Sequence, residues 1–386
     1  MNSVRLGIIG MGNMGRGHAE TILSGKISRC QLTAVGDPSP EKLTRFPRAQ
    51  GFAHSEELVR SGVVDAVLIA TPHYDHTTIG IDALQHGLHV LVEKPISVHK
   101  ADAQRLIAAH HGPGQVFAAM FNQRTDPYYG KVRELIRNGQ LGQIRRLNWI
   151  TTNWFRPEAY YKLASWRATW AGEGGGVLLN QCPHNLDLFQ WLFGMPKRVR
   201  GFCAFGRYHD IEVEDDVTAY FEYADGATAV FVTSTGEAPG TNRLEVAAEN
   251  GRLVLENDIL VFTKNEIPMT EFGRTATGAF AVPATTESKF IFPDHGGQHA
   301  EVLQNFVDAI LDGKPLLAPA AEGIHSVELA NAILFSSARN ESIELPLDAA
   351  AYEKHLQQKS SGSRFQRNAP RQHGTVANDL AKSFNR

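Results

Sequence analysis

Cysteine is scarce in this chain of 386 residues: Cys30, Cys182 and Cys203 lie far apart and form no Cys-x-x-Cys pair. Neither a disulfide framework nor a zinc site built on paired thiols is indicated, and reduced, buried thiols are the expectation. An excess of one charge is missing as well. The 38 basic and 41 acidic residues leave a formal net charge of −3, which offers no electrostatic basis for binding nucleic acid or an anionic membrane. No apolar run is long enough to span a bilayer, and residues 1–10 lack the basic region and apolar core of a secretory signal. A cytoplasmic location is therefore expected. Internal repeats and low-complexity arrays are wanting too. What remains, 42% apolar and 20% charged residues, is ordinary for a soluble globular protein, and the length points to two domains.

Residues 4–10 form a β-rich run, followed by Gly10-Met11-Gly12-Asn13-Met14-Gly15 and helix-compatible sequence over 18–23. A glycine fingerprint alone is weak, but strand, turn and helix in this order give it meaning. Such glycines turn the chain tightly and bring backbone N–H groups, with the positive end of the helix dipole, to a pyrophosphate. A second strand over 32–36 ends in Asp37, 22 residues beyond Gly15. That is the offset of a carboxylate bonding the adenosine ribose hydroxyls. Asp37 favours NAD over NADP, whose extra phosphate it would repel. Strands over 63–70, 89–93 and 116–120 alternate with helical stretches, which predicts a doubly wound parallel sheet with its ligand beyond the carboxyl ends. Thr71, Pro72, Glu93, Lys94, Asn122 and Arg124 fall at those ends. Lys94 is the candidate for proton transfer, because desolvation and a neighbouring cation lower a lysine pKa. His73 and His76 sit three apart on one helix face, but no third ligand lies at a recognisable spacing, so caps or polar contacts are expected and no metal.

Beyond residue 140 the pattern changes. A strand over 144–154 leads into an aromatic loop with Phe155, Tyr160, Tyr161, Trp166 and Trp170, then Gly172-Glu173-Gly174-Gly175-Gly176. Flat aromatic faces suit the C–H faces of a sugar, and Arg156, Lys162 and Arg167 offer bonds to hydroxyls or a carboxylate. Trp154 and Tyr160 are candidate substrate contacts. Residues 177–194 have helical spacing, which predicts Asn180 and His184 on one face. Runs over 217–223 and 228–235 read as a β-hairpin. Val230, Phe231 and Val232 put apolar side chains on both faces of that strand. Helices can cover one face and a partner subunit the other, so a homodimer or homotetramer formed sheet to sheet is expected. Residues 267–292 show no clear period and read as a long loop, while His299, just after Gly296-Gly297, is within reach of the site but is expected as a cap or surface residue. From about residue 357 basic residues are opposed only by Asp379, the composition of a tail.

Taken together, the glycine fingerprint, Thr71-Pro72-x-x-x-His76, Glu93-Lys94-Pro95, Asn122-Gln123-Arg124 and the glycine-rich segment ending in His184-x-x-Asp187 resemble the glucose-fructose oxidoreductase, inositol dehydrogenase and MocA family over residues 4–346. The resemblance implies an α/β protein with an N-terminal Rossmann doubly wound sheet over 1–124. It implies a C-terminal α/β domain over 125–352, built on a large open mixed, mostly antiparallel sheet for substrate binding and oligomerisation. Residues 353–386 are left as a basic polar tail. The resemblance further implies a cis Lys94–Pro95 bond, a nicotinamide cofactor, and hydroxyl or carbonyl redox chemistry on sugars, cyclitols and related compounds. Cofactor contacts are then expected from Gly10, Gly12, Asn13, Met14, Gly15, Asp37, Thr71, Pro72, His76, Glu93, Lys94, Asn122, Trp166 and Arg167, the last two over the nicotinamide. Lys94 and His184 are the expected catalytic groups, and Asn180, Arg124, Trp154, Tyr160 and Arg167 the substrate contacts. One position departs from the family pattern. Asn180 stands where aspartate is frequent, and an amide cannot accept a proton, so proton transfer falls on Lys94, on His184, or on both. The leading reading is an NAD-dependent sugar, glycoside or cyclitol dehydrogenase. The alternatives are a glycosidase that retains NAD and acts by oxidation, elimination, addition and reduction, or a non-catalytic NAD-binding sensor.

Overall fold

The apolar runs of the first third are too continuous for a half-exposed sheet, and they become parallel strands covered on both faces. The computed structural model, which describes residues 2–365, sets β1 (Val4–Ile9), β2 (Cys30–Gly36), β3 (Gln50–Phe52), β4 (Ala66–Ile69), β5 (His89–Val92) and β6 (Phe117–Ala119) in one sheet of order β3-β2-β1-β4-β5-β6. Every pairing in it is parallel. The strand order reverses between β1 and β4, and the crevice beyond their carboxyl ends is where such sheets bind ligands. Gly10 makes the turn there with φ of +94°, and a Cβ on it would lie 2.6 Å from the Ala70 carbonyl oxygen. Both the dihedral and the close approach demand glycine. The following helix, Asn13–Leu23, buries Gly15, His18, Ala19 and Ile22, the stripe of an amphipathic helix.

The second sheet contains β7 (Ile144–Thr151), β8 (Arg198–Phe205), β9 (Glu214–Glu222), β10 (Thr228–Ser234), β11 (Asn242–Ala248), β12 (Gly251–Glu256), β13 (Ile259–Asn265), β14 (Thr285–Ile291) and β15 (Ile343–Glu344), in the order β14-β13-β12-β11-β7-β10-β9-β8-β15. Only β7 and β10 run parallel, so the sheet is mixed and mostly antiparallel. The expected hairpin is β9–β10, with Thr228 opposite Glu222. One face holds the core, in which Trp149, Phe189, Phe221 and Phe231 pack together beneath the helices Pro183–Phe193 and Gly323–Arg339. The other face is open: Phe202 is 55% exposed, and Ile150 and Tyr220 are each 38% exposed.

Four expectations need correction. Residues 177–194 are not one helix but two, Val177–Asn180 and Pro183–Phe193, because Pro183 has no N–H to continue the ladder. Asn180 and His184 therefore do not share a face of one helix. Residues 267–292 hold a helix, Met269–Thr275, and the edge strand β14, paired along β13. The division at residue 125 separates the two sheets but not the packing, since the helix Gln298–Asp312 returns Val302, Leu303, Phe306 and Val307 to the core around Leu6 and Ile8 of the first sheet. Finally, the tail does not begin at 353. The helix Ala349–Ser361 crosses that point with Tyr352 and Leu356 buried, and Ser363 is buried beyond it. The rest of the expected tail, 366–386, lies outside the described residues.

Phe231 sits at the centre of the second core, edge-on to Trp149 and Phe189. Phe231→Ala should cost about 3–5 kcal/mol through lost transfer energy and a cavity, read as a lower urea midpoint. A midpoint equal to that of the parent would contradict this packing.

Candidate functional site

A cleft of about 2690 Å³ runs from the glycine turn to the aromatic loop. Single-ligand pockets measure roughly 300–1,000 Å³, so it has room for a dinucleotide and a substrate together. At one end, the helix Asn13–Leu23 begins at Gly12 with no side-chain cap, and nothing lies within 4 Å of a Cβ built on Gly12. Open N–H groups and open space at a helix start fit a pyrophosphate. Gly15 does not line the cleft; a Cβ there would lie 1.9 Å from the Gly10 carbonyl oxygen, so its part is close helix–strand packing. Asp37, at the end of β2, accepts from the Met11 and Ser39 amides at 2.9 and 3.0 Å and from Lys42 Nζ at 3.1 Å. Arg16 and Arg45 line the same end.

The two domains meet at Lys94. This half-buried lysine follows β5, precedes a cis bond to Pro95, and donates from Nζ to the Asn180 carbonyl oxygen at 2.7 Å. That carbonyl is available because the helix Val177–Asn180 stops there. Burial lowers the Lys94 pKa, helped by the charges of Arg156 and Arg167 and opposed by Glu93 and Glu173. Glu93 accepts from the Lys94 amide at 3.2 Å and pairs with His18 Nε2 at 2.7 Å. Burial alone would raise the Glu93 pKa, yet the His18 bond and charge, with His299 and Lys94, bring it to about 2. His76 braces the turn, its ring nitrogens 2.8 Å from the Pro95 oxygen and 2.9 Å from the Thr71 oxygen. Among the described residues no group of His, Cys, Asp and Glu could hold a metal.

On the far wall, Asn180 is a hub. Its amide nitrogen donates to Glu173, and its Oδ1 accepts from Tyr160 Oη and Gln181 Nε2, each at 3.0 Å. Glu173 also accepts from the Ala168 amide at 2.6 Å and lies 3.7 Å from Arg167, while burial pushes its pKa up. Arg167 donates to Tyr160 Oη at 2.9 Å and stacks on Trp166 and Tyr160. His184 packs edge-on to Phe121, and its Nδ1 is buried without a partner. Burial, then the charges of Lys94 and His299, hold its pKa well below the usual histidine value.

Residues 4–121 match the oxidoreductase family with an NAD-binding Rossmann fold, and residues 129–254 match the GFO/IDH/MocA C-terminal domain. The chain belongs to the GFO/IDH/MocA oxidoreductase family. Inositol 2-dehydrogenase of Corynebacterium glutamicum is 27% identical over 197 residues, 50% of this chain and 55% of that enzyme, so the match spans about half the length of that relative. The scyllo-inositol 2-dehydrogenase (NADP(+)) IolW of Bacillus subtilis is 24% identical over 360 residues, 89% of this chain and 97% of that enzyme. Among solved structures, the WlbA dehydrogenase of Bordetella pertussis in complex with NADH and UDP-GlcNAcA has a TM-score of 0.74 and 26% identity, covering 90% of this chain and 100% of that one.

Within this family member the cleft gathers Gly10, Gly12, Asn13, Met14, Asp37, Thr71, Pro72, His76, Glu93, Lys94, Asn122, Trp154, Tyr160, Trp166, Arg167, Asn180 and His184. Arg124 is a correction: it lies beneath the cleft, bonded to both oxygens of Asp187 at 2.6 and 2.7 Å and to Glu322 at 2.5 Å. Its charge is already balanced, so it acts as a strut between the strand end and the helix Pro183–Phe193. Sequence reading passed over three groups and placed a fourth, His299, as a cap or surface residue, whereas it lines the cleft. Lys42 sits one turn beyond Asp37, and Glu173 is a lone carboxylate in a glycine run; both are local signals. His18 meets Glu93 across 75 residues, without a local signal, and His299 packs edge-on to His18 at 5.6 Å.

The depressed Glu93 pKa fixes a sign. A folded carboxylate at about 2, against an ordinary 4.5, contributes stability that is present above pH 4.5 and lost as pH falls towards 2. Glu93→Gln should flatten that acid decline, measured as urea midpoints across the window; an unchanged decline would contradict the pairing with His18.

Proposed function

We propose that this protein is a nicotinamide-dependent dehydrogenase that acts on a hydroxyl of a sugar, glycoside or cyclitol, with NAD as its preferred cofactor. The observation that carries the reading is the Lys94 ammonium, held on the Asn180 carbonyl where the glycine-turn end of the cleft meets its aromatic wall. Asp37 supports NAD, since its carboxylate faces the cleft at the ribose end. Lys42 offsets part of that charge and so limits the preference.

Hydride acceptance is the chemistry that the bound cofactor supplies. Lys94 Nζ takes the hydroxyl proton, and for that it must first be neutral, which burial and the two arginines favour. His184 lines the same cleft with its pKa held well below the usual histidine value, so it holds the hydroxyl by a hydrogen bond rather than taking its proton. Asn180 cannot take a proton. Its side chain, pinned by Glu173, Tyr160 and Gln181, keeps the backbone carbonyl aimed at Lys94. Trp154 and Tyr160 supply flat walls for the ring, and Trp166 with Arg167 covers the nicotinamide end.

We also propose that the open face of the second sheet, with Ile150, Phe202 and Tyr220, is covered by another copy of the chain in a homodimer or homotetramer. Sedimentation at micromolar concentration should show that assembly, and a monomer alone would remove the proposal. Among the described residues no helix is long and apolar enough to cross a membrane.

Incubation with NAD or NADP and a panel of sugars, cyclitols and glycosides should yield reduced cofactor, faster with NAD. Aglycone released without net reduced cofactor would replace this reading by the glycosidase, and silence in both readouts by the sensor. Lys94→Ala should lower kcat by about 10²–10⁴-fold with nucleotide binding retained. In the parent, kcat/KM for oxidation should rise with pH through a value below 10.5, the ordinary lysine value. Full activity in the variant would end the mechanism.

A further inference from the structure

Two cations at the aromatic end of the cleft are not matched by its nearest carboxylates. The two buried carboxylates nearby are engaged: Glu93 holds His18 and the Lys94 amide, and Glu173 holds the Ala168 amide, the Asn180 side chain and Arg167. Arg156 and Lys162 line the same cleft, and neither has a carboxylate partner among the described residues. A cation left unpaired in a cleft of this depth is a recognition element in search of an anion.

Arg156 is also built for the purpose. Its Nη1 is spent on the Phe155 carbonyl at 2.9 Å and the Trp154 carbonyl at 3.4 Å. The guanidinium lies over the Tyr160 ring at 5.1 Å and the Trp154 ring at 5.8 Å, which fixes its place. Nε is buried without a partner, and Nη2 has none among the described residues. Nη2 is therefore the donor left to meet an anion, through a charge-assisted hydrogen bond. The backbone behind it is anchored as well, through the Arg156 amide on the Thr235 carbonyl at 3.0 Å and the Arg156 carbonyl against His209 Nε2 at 2.8 Å. Arg156 is close enough to the reacting end that its charge acts on Lys94. A substrate anion on Arg156 would thus share the cleft with Lys94.

We infer that the substrate is an acidic sugar, whose carboxylate or phosphate group is held by Nη2 of Arg156, with Lys162 at the rim, while the hydroxyl to be oxidised lies at Lys94. This rests on the proposed dehydrogenase reading for the place of the hydroxyl, but the anion subsite stands on Arg156 itself.

The test compares glucuronate, glucose 6-phosphate, glucose and myo-inositol as substrates with NAD, and as ligands of the protein–NADH complex by calorimetry. At least one of the two anions should exceed glucose in kcat/KM by roughly 10- to 100-fold, the worth of a charge-assisted hydrogen bond. Preference for glucuronate alone assigns a carboxylate, and for glucose 6-phosphate alone a phosphate. Arg156→Gln should shrink the ratio of charged to neutral substrate at least about tenfold, with the urea midpoint showing that the variant is folded. Equal kcat/KM for charged and neutral probes, or a variant that lowers all four alike, overturns the inference. Should no probe be oxidised while an anion still binds the NADH complex in an Arg156-dependent way, the subsite stands and the dehydrogenase reading falls. Absence of anion binding at about 10 mM overturns the subsite, whatever the neutral probes do.

Discussion

The 2.7 Å bond from Lys94 Nζ to the Asn180 carbonyl is the constraint on which the site depends. It joins the end of a strand in the nucleotide-binding sheet to the end of a one-turn helix in the other domain. Each partner is offered by a local rule. A strand end in a parallel sheet points its last residues at the crevice, and a helix end leaves carbonyls without partners. Pro183 enforces the second rule by stopping the helix after Asn180. The lysine thus reaches the cleft already oriented, with its donor committed to a neutral acceptor rather than a carboxylate. A carboxylate there would have bound the proton more firmly to the lysine and worked against its release.

Charge in the cleft is arranged around that choice. Glu93 lies next to Lys94 in sequence but turns to His18, and Glu173 turns to Asn180 and Arg167. Both carboxylates stay within electrostatic range of the lysine without bonding its ammonium directly. Burial lowers the pKa of two histidines of the cleft, His184 to well below the usual range and His299 to about 4.

Much of the parallel half was legible in the chain because burial on both faces writes continuous apolar runs, and because Gly10 answers to a dihedral that few other residues adopt. The β9–β10 hairpin was legible for a related reason, since its turn residues and alternation agree. Strand β14 was not, because almost all its side chains are exposed and exposure erases alternation. The helix break was visible in Pro183, but the apolar spacing on either side spoke for a single helix and the packing sided with the proline. Arg124 looked like a site residue from its place at a strand end, while its true partners stand 63 and 198 residues further on. Pairings of that range leave no local trace, and the same holds for His18 with Glu93. Glu173 had a trace, a single acid among glycines, but its role follows only from the fold that brings it to Asn180.

The helix Gln298–Asp312 comes late in the chain, yet it covers the face of the first sheet that Leu6 and Ile8 present. During synthesis that face has to wait, uncovered, until nearly three hundred further residues have left the ribosome. The nucleotide-binding sheet is thus a module by shape but not by manufacture, since a late segment of the chain finishes its core.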